Sequence, residues 1–594
     1  MAEYWRATLL LISTAWRVDR KLTLAAVTDP LGNTLALLAG YWLSLTAMGV
    51  LRHERALIVV GVAGLVAGAG LAWQLELSSS QWLMVLSDKV AHAFDTELAR
   101  LSAAIPSMEH HERPEYQDKL ELLRQRQGLL GGSLSTLAMT FKAVCAAATV
   151  LVLLISVHPL MLTLAVLALP SIYIARTQQR WRSDAEERSA TPGRIARHLR
   201  ALTVDRDAAM EIRVFGLADE IQTRAAQAWD DHRRPLDRAE RRIAFVNATQ
   251  EILFVACSIA AIGFVLWRAI RGRSAPGEVI LAVVLSQQVQ AAVIWPIQAV
   301  AGLGQTLRTV RRYRWLRDYA DATMARYAEG RPAPDSLTDG IVFDDVSFRY
   351  PGTDTWALRH LSIKIRAGSV VALVGENGTG KTTVVKLLTR MYEPTEGRIL
   401  VDGVDLTDID ITSWRRRLSA AFQDFARFEF TACHSVGVGD LPRLDDDGHV
   451  LGALERAGAT NVTSALPDGL GTQLGARWNG QELSTGQWQK VALGRALMRT
   501  DPLVVFFDEP TAALDAPTEH ALFERYSAAA RAGADHGMIT VLVSHRFSTV
   551  RTADQIVVLA DRQVVEHGTH AELIAAGSRY AEMYRLQARS YVAT

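Results

Sequence analysis

Cysteine is nearly absent: three residues in 594, Cys145, Cys257 and Cys433, stand far apart and without metal-ligand spacing. That excludes a disulfide scaffold and a cysteine zinc site. Charge of one sign is missing too. Lys and Arg number 64 against 63 Asp and Glu, a net of +1, which argues against a dedicated nucleic-acid binder and its basic excess. No short-period repeat or low-complexity tract is evident. The opening MAEYWRATLLLISTAWRVDRK has no small-residue cleavage site after its apolar stretch, so a cleaved signal peptide is not expected. Residues 1–21 read instead as an amphipathic helix on a membrane surface. What is present is length and oiliness, with 49% hydrophobic and only 21% charged residues. A chain this long divides into two or more units.

The oily unit comes first. Asp29 is the only charge between Leu22 and Leu51, and none occurs in Ala56–Leu75, Ala143–Ala175, Ile252–Trp267 or Val279–Leu307. A membrane-spanning helix needs roughly 20 apolar residues. The third block divides at His158-Pro159, which gives six spans near 22–50, 55–77, 134–157, 159–176, 243–268 and 278–304. The stretches 78–133 and 177–242 are long, polar and helix-forming, and read as inward extensions of the spans. Basic residues such as Arg17, Arg20, Lys21, Arg176, Arg180, Arg238 and Arg241 flank the ends placed inside, against Arg52, Arg268 and Arg271 outside. Residues 305–338 form a charged linker ending in RPAPDSLTDG. From 339 to 594, short β-branched runs alternate with helical segments, the pattern of an α/β domain with a parallel sheet.

Two motifs in that second unit carry chemistry. Gly375-Glu-Asn377-Gly378-Thr379-Gly380-Lys381-Thr382-Thr383 follows the strand Ser369–Val374 and is a complete GxxxxGK[ST] P-loop. Its glycines let backbone N–H groups wrap phosphates at a helix N-terminus. Lys381 is placed to neutralise the β- and γ-phosphates, and the Thr382 hydroxyl to ligate Mg²⁺. Leu503-Val-Val-Phe-Phe-Asp508-Glu509 is an apolar strand delivering two carboxylates to its tip. Asp508 is expected to hold magnesium through water, and Glu509 to polarise the attacking water.

A third motif, Leu483-Ser484-Thr485-Gly486-Gln487, lies 25 residues before Asp508. It resembles the LSGGQ signature of ATP-binding cassette (ABC) proteins, and the layout of six spans followed by one cassette resembles an ABC exporter half-transporter. HERPEYQDKL after the second span and EIRVFGLADE before the fifth resemble segments of exporter intracellular domains. The resemblance implies an all-α membrane domain followed by an α/β P-loop ATPase domain, with ATP and Mg²⁺ as cofactors. It implies that Tyr350, in FRYPG, stacks on adenine. Gln423, in AAFQDF, is implied to sense magnesium and the membrane half. Asp515 is implied to belong to the D-loop, and His545, in VLVSHR, to contact the γ-phosphate. Thr485 departs from the usual glycine and bears on turnover rather than ATP binding, because Ser484, Gly486 and Gln487 are intact. Trp488 and the preceding GARWNGQE also depart from the arginine-rich version of many exporters.

One P-loop and one signature per chain imply a dimer, since in this family each ATP is clamped between one cassette's P-loop and the other's signature. Because Glu509, Ser484 and His545 are all present in the one chain, neither site need be degenerate, which favours a homodimer over a pairing with a different half-transporter. The expected place is the bacterial cytoplasmic membrane, and no nucleic-acid partner is expected. WNGQELSTGQWQKVALGRALMR and FQDFARFEFT look most like bacterial exporters of peptide natural products such as lantibiotics, and of drugs. Only about twenty residues precede the first span, so a leader-trimming protease domain is not expected. The expected cargo is an amphipathic peptide or a lipophilic small molecule. Gln287 and Gln298 share a face of the sixth span, as a cavity wall or as a helix–helix seam. Asp29 and Glu251 are membrane-proximal carboxylates that reach the cytoplasmic interface or serve function. A siderophore-type importer and an ATP-gated sensor or channel remain alternatives. A soluble ABC ATPase is disfavoured by the uncharged blocks.

Overall fold

The computed structural model describes residues 2–26, 28–125, 132–157, 170–272, 276–508, 537–544 and 547–592. The chain forms two compact units, one of residues 1–100 and 121–315, the other of residues 101–120 and 316–594.

The first unit is helical. Among the described residues four helical stretches are long and apolar enough to cross a membrane: Arg20–Arg52, Arg55–Ala104, Ser133–Ile155 and Ala218–Ile270. A shorter apolar stretch, Gly277–Ser286, opens the Pro276–Arg326 helix. Most of the expected fourth span lies outside the described residues. Apolar side chains face outward along these helices, Trp73 at 73% and Ile252 at 71% exposure, as a hydrocarbon surround requires. Inside, Leu153 and Leu154 of the Ser133–Val157 helix pack with Val265 and with Leu281, Leu285 and Val289. The first span is one apolar stretch made of three consecutive helices. It runs as Arg20–Ala26, Asp29–Leu37 and Ala39–Arg52; Pro30, which lacks an N–H donor, sits in the first turn of the middle helix, where that donor is not needed. The long polar connections are helical: the Arg55–Ala104 helix has 50 residues, and Pro170–Val204 packs along Ala218–Ile270. His232 Nδ1 lies 2.9 Å from the Ser189 carbonyl across that pair.

The first two spans meet through small residues. A Cβ at Gly64 would lie 2.4 Å from Trp42 Cε3, and one at Gly61 would lie 2.4 Å from Thr46 Oγ1. Such close backbone approach is how membrane helices gain packing without a hydrophobic driving force. Gly64→Leu is therefore expected to destabilise the protein by about 1–3 kcal/mol through overpacking. Gly70→Leu, on the same helix with nothing within 4 Å of its Cβ, should leave the melting temperature in detergent unchanged.

Among the described residues the second unit contains two sheets. The smaller is antiparallel, in the order β2-β1-β4-β5, with β1 Gly340–Arg349, β2 Trp356–Arg366, β4 Glu396–Val401 and β5 Val404–Asp405. The larger has the order β10-β9-β3-β8-β7-β6. Its strands are β3 Val370–Val374, β6 Leu418–Ala421, β7 Val504–Asp508, β8 Ile539–Val543, β9 Gln555–Ala560 and β10 Gln563–Gly568. All pair in parallel except the β9–β10 edge. Both faces of β3 are buried, as a continuous apolar run in a parallel sheet demands. Val371 and Leu373 pack with Phe343, Val385, Trp414 and Phe506, whereas Ala372 and Val374 pack with Leu454, Trp488 and Leu542.

Two boundaries differ from the sequence reading. The expected linker begins as helix, since Pro276–Arg326 continues past 305. Its Leu307, Val310, Tyr313, Leu316 and Ala320 are all buried, a helical stripe that the charges of RRYRWLRDY obscure. The cassette unit also takes in residues 101–120 from the polar stretch after the second span.

Candidate functional site: a nucleotide pocket at the sheet tips

Sheet order brings the chemistry together. β8 lies between β3 and β7, and Val543 is in register with Leu373 on one side and Asp508 on the other. Leu373 near the end of the P-loop strand and Asp508, 135 residues apart in sequence, thus stand two strand spacings apart, roughly 10 Å. The loop after β3 bends through Gly378 (φ 81°) and Gly380 (φ 104°), left-handed conformations that favour glycine. At Gly380 space is also lacking, since a Cβ would lie 2.5 Å from Leu358 Cδ2 and 2.9 Å from the Ala357 carbonyl. The helix Lys381–Leu388 starts there, with its free N–H groups and positive dipole end at the loop. Lys381 is 7% exposed, and its Nζ donates to the carbonyls of Gly375 at 2.7 Å and Glu376 at 2.9 Å.

A cavity of about 380 Å³ opens at this point. Its lining includes Tyr350, Asn377, Gly378, Gly380, Lys381, Thr382, Thr383, Gln423 and Asp508, nine residues singled out from sequence. Gly375 and Thr379 build the loop without lining the cavity, Thr379 Oγ1 donating to the Glu376 carbonyl at 2.8 Å. Ala357 and Val543 also line it and were not singled out. Val543 had a signal, the apolar strand ending in VSH, but Ala357 had none, because only the fold of β2 brings it there. Glu509, Asp515 and His545 lie outside the described residues.

The contents suit a magnesium nucleotide. The volume falls in the small-molecule range. Thr382 is exposed, whereas Asp508 is 3% exposed at the strand tip. Among the described residues no group of three or more His, Cys, Asp or Glu could hold a metal. Magnesium is usually held by one or two carboxylates together with substrate phosphates and water, so Thr382 and Asp508 fit that role.

Tyr350 is held at the rim by an aromatic cluster. Phe348 lies 5.0 Å away at 75°, Tyr392 lies 5.4 Å away at 83°, and the Tyr350 hydroxyl is 3.1 Å from Thr383 Oγ1. Ser484, Gly486 and Gln487 are not among the residues lining this cavity. Ser484 caps the helix Thr485–Ala496 in a capping box with Gln487, the Ser484 N–H donating to Gln487 Oε1 at 2.8 Å. Thr485 is exposed at the first helical position. Trp488 is 1% exposed and belongs to the core, which explains an aromatic at that position.

Arg495 was not singled out from sequence. It ties the signature helix to the segment after Gln423, with Nε donating to the Ser435 carbonyl at 3.0 Å and Nη1 to Ala426 at 3.1 Å. Its guanidinium lies 4.5 Å from the Phe428 ring centroid, and burial pushes its pKa down to about 10. In the helical unit, Lys142 and Glu76 form an ion pair at 2.9 Å between two apolar helices. The signal was available, since Glu76 closes one uncharged run and Lys142 precedes another. Glu251 is exposed, and the side chains of Asp29, Gln287 and Gln298 lie outside the described residues.

Comparison with known proteins places this geometry. Residues 358–512 match the family model described as ABC transporter. An ATP-dependent lipid A-core flippase of Aromatoleum aromaticum is 30% identical over 433 residues, 72% of this chain and 68% of that protein. The chain is an ABC transporter. A protein with the same description from Albidiferax ferrireducens is 42% identical over 247 residues, 42% of this chain and 41% of its own length. The ABC transporter described here thus spans about two fifths of the length of several of the curated relatives that it matches. Its fold is that of a bacterial Atm1-family ABC exporter with ATP bound, at a TM-score of 0.70 and 23% identity, over 96% of this chain and 98% of that one. A helical membrane domain followed by an α/β ATPase domain is thereby shown.

Proposed function

We propose that this chain is one half of a homodimeric exporter in the bacterial cytoplasmic membrane, driven by hydrolysis of MgATP. The observation that carries the reading is the half-built site. Seven nucleotide-binding candidates and two magnesium candidates, Gln423 and Asp508, line one cavity, while the signature Ser484 and Gly486 stand apart from it at another helix N-terminus. A second copy supplies the missing signature, so that two ATP molecules close two cassettes. In the closed site the P-loop N–H groups and Lys381 hold the β- and γ-phosphates, Tyr350 stacks on adenine, and Ser484 and Gly486 of the second copy donate to the γ-phosphate. Thr382, Asp508 and Gln423 would hold Mg²⁺, which would supply neutralisation of the charge developing on the phosphates. Glu509 polarises the attacking water, His545 contacts the γ-phosphate, and Asp515 of the D-loop faces the partner cassette. Each ATP shifts the cavity between access states only by binding the closed cassettes more tightly than the open ones.

The cargo is a lipophilic or amphipathic molecule. The names of the relatives, lipid A-core flippases, support a lipid over a peptide natural product or a drug. The Lys142–Glu76 pair supports an amphipathic cargo with a polar headgroup, since ionisable groups between membrane helices mark polar pathways. The test is reconstitution in liposomes with a fluorescent lipid whose inner- or outer-leaflet location is read by quenching. ATP-dependent translocation abolished by Glu509→Gln is expected. Translocation of an added amphipathic peptide but not of lipid would restore the peptide reading, and movement in the opposite direction would indicate an importer. ATP hydrolysis with no cargo movement of either kind would sink the export reading.

A further inference from the structure

Segment 101–120 reaches the nucleotide pocket through one carboxylate. Within the cassette unit, Glu112 Oε1 accepts from Lys386 Nζ at 2.8 Å, and Glu112 Oε2 accepts from the Tyr392 hydroxyl. Both partners bear on Tyr350. The Lys386 ammonium sits 5.0 Å from the Tyr350 ring centroid, and Tyr392 packs against the same ring nearly at right angles. With the Tyr350 hydroxyl near Thr383, the ring is gripped by a cation, by an aromatic neighbour and at its hydroxyl. We infer that Glu112 is a positioning residue of the nucleotide site, setting the aromatic platform for the base through Lys386 and Tyr392 without touching the phosphates.

The anchoring is built from both ends. Met108 N–H donates to the Met391 carbonyl at 3.3 Å, and Arg415 Nη2 donates to the Pro106 carbonyl at 2.7 Å. Arg113 Nη1 donates to Glu109 Oε1 at 2.8 Å beside them. Glu112 and Lys386 have side chains 35% and 30% exposed, so their attraction is screened less than that of a surface pair. Burial works against the Lys386 charge, but Glu112 and Tyr350 outweigh it and raise the lysine pKa. Burial first, and then Glu112, raise that of Tyr392, which keeps its phenol a donor. Lys386 lies on the helix that begins at Lys381, so the same helix serves phosphate at its start and base further along. Because binding linkage is reciprocal, a base stacked on Tyr350 holds segment 101–120, and displacement of that segment loosens the base platform.

This inference rests on the assignment of the cavity to ATP, and its test separates the two. The full chain in nanodiscs is assayed for the KM of MgATP and for the competitive inhibition constant of inorganic tripolyphosphate, which has phosphates and no base. Glu112→Gln is expected to raise the KM for ATP about five-fold, with kcat and the tripolyphosphate constant unchanged. Tyr392→Phe, which keeps the ring and removes one donor, is expected to raise it about two-fold. In a Tyr350→Ala background Glu112→Gln should add nothing further. An unchanged KM in both variants, an equal rise for tripolyphosphate, or full additivity with Tyr350→Ala would each overturn the role of Glu112. Lys381→Ala is the control. If it hydrolysed ATP normally, the assignment of the cavity would fail first.

Discussion

Replacing Lys381 by alanine is expected to lower ATP turnover by about 10²–10³-fold, the loss seen when one preorganised charge stabiliser is removed from a phosphoryl or oxyanion site. Lys381 is the buried cation at the mouth of the P-loop, and its ammonium already lies within hydrogen-bond reach of two loop carbonyls. A γ-phosphate offers a stronger, charged acceptor at the same place. The side chain also braces the loop, so alanine removes both a charge and a tether. Lys381→Met separates the two, because it keeps the stem and deletes the ammonium. Methionine should lose as much turnover as alanine if charge is decisive. The measurement is steady-state phosphate release in lipid, with binding of a fluorescent nucleotide read alongside. Near-normal turnover in Lys381→Met would remove the electrostatic role.

The second large effect concerns the composite site. Ser484→Arg places a bulky cation at an exposed helix N-terminus, where it opposes the helix dipole and fills the space that a partner's γ-phosphate needs. Alone, it is expected to lower hydrolysis by about 10²-fold or more. Mixed with Lys381→Ala, an equally poor variant, it should regain activity. In a mixed dimer the two lesions fall on the same composite site, which leaves the other site intact. Co-expression with two affinity tags and tandem purification isolates those mixed dimers. Recovered turnover well above either parent is the expected result. Failure to recover any, with the mixed dimer demonstrably present, would mean that P-loop and signature act within one chain or that both sites must be intact.

Much of the nucleotide site was legible because its determinants are local. A P-loop is a short run whose glycines and lysine are specified by backbone conformation and charge, so nine of its residues and neighbours could be named and were then found around one cavity. The capping box of the signature helix is equally local, with Ser484 and Gln487 three apart. The apolar run of the first span was legible over Arg20–Arg52, whereas the helix starts at Asp29 and Ala39 inside it were not. Trp488 stood out as a departure from a family pattern, although its burial makes it ordinary core.

Composition and periodicity determined by themselves that the chain has a membrane half and a P-loop half, since apolar run length and the strand–loop–helix motif need no knowledge of distant partners. Tertiary structure alone decided which distant residues meet. Sheet order set Val543 between Leu373 and Asp508, and the folding of residues 101–120 into the cassette unit gave Lys386 and Tyr392 their carboxylate at Glu112. The pairing of Glu76 with Lys142 is of the same kind. The physical reason is that hydrophobic pattern specifies which face of an element is buried, whereas strand register and helix packing specify what that face, and each charge at its edge, will touch.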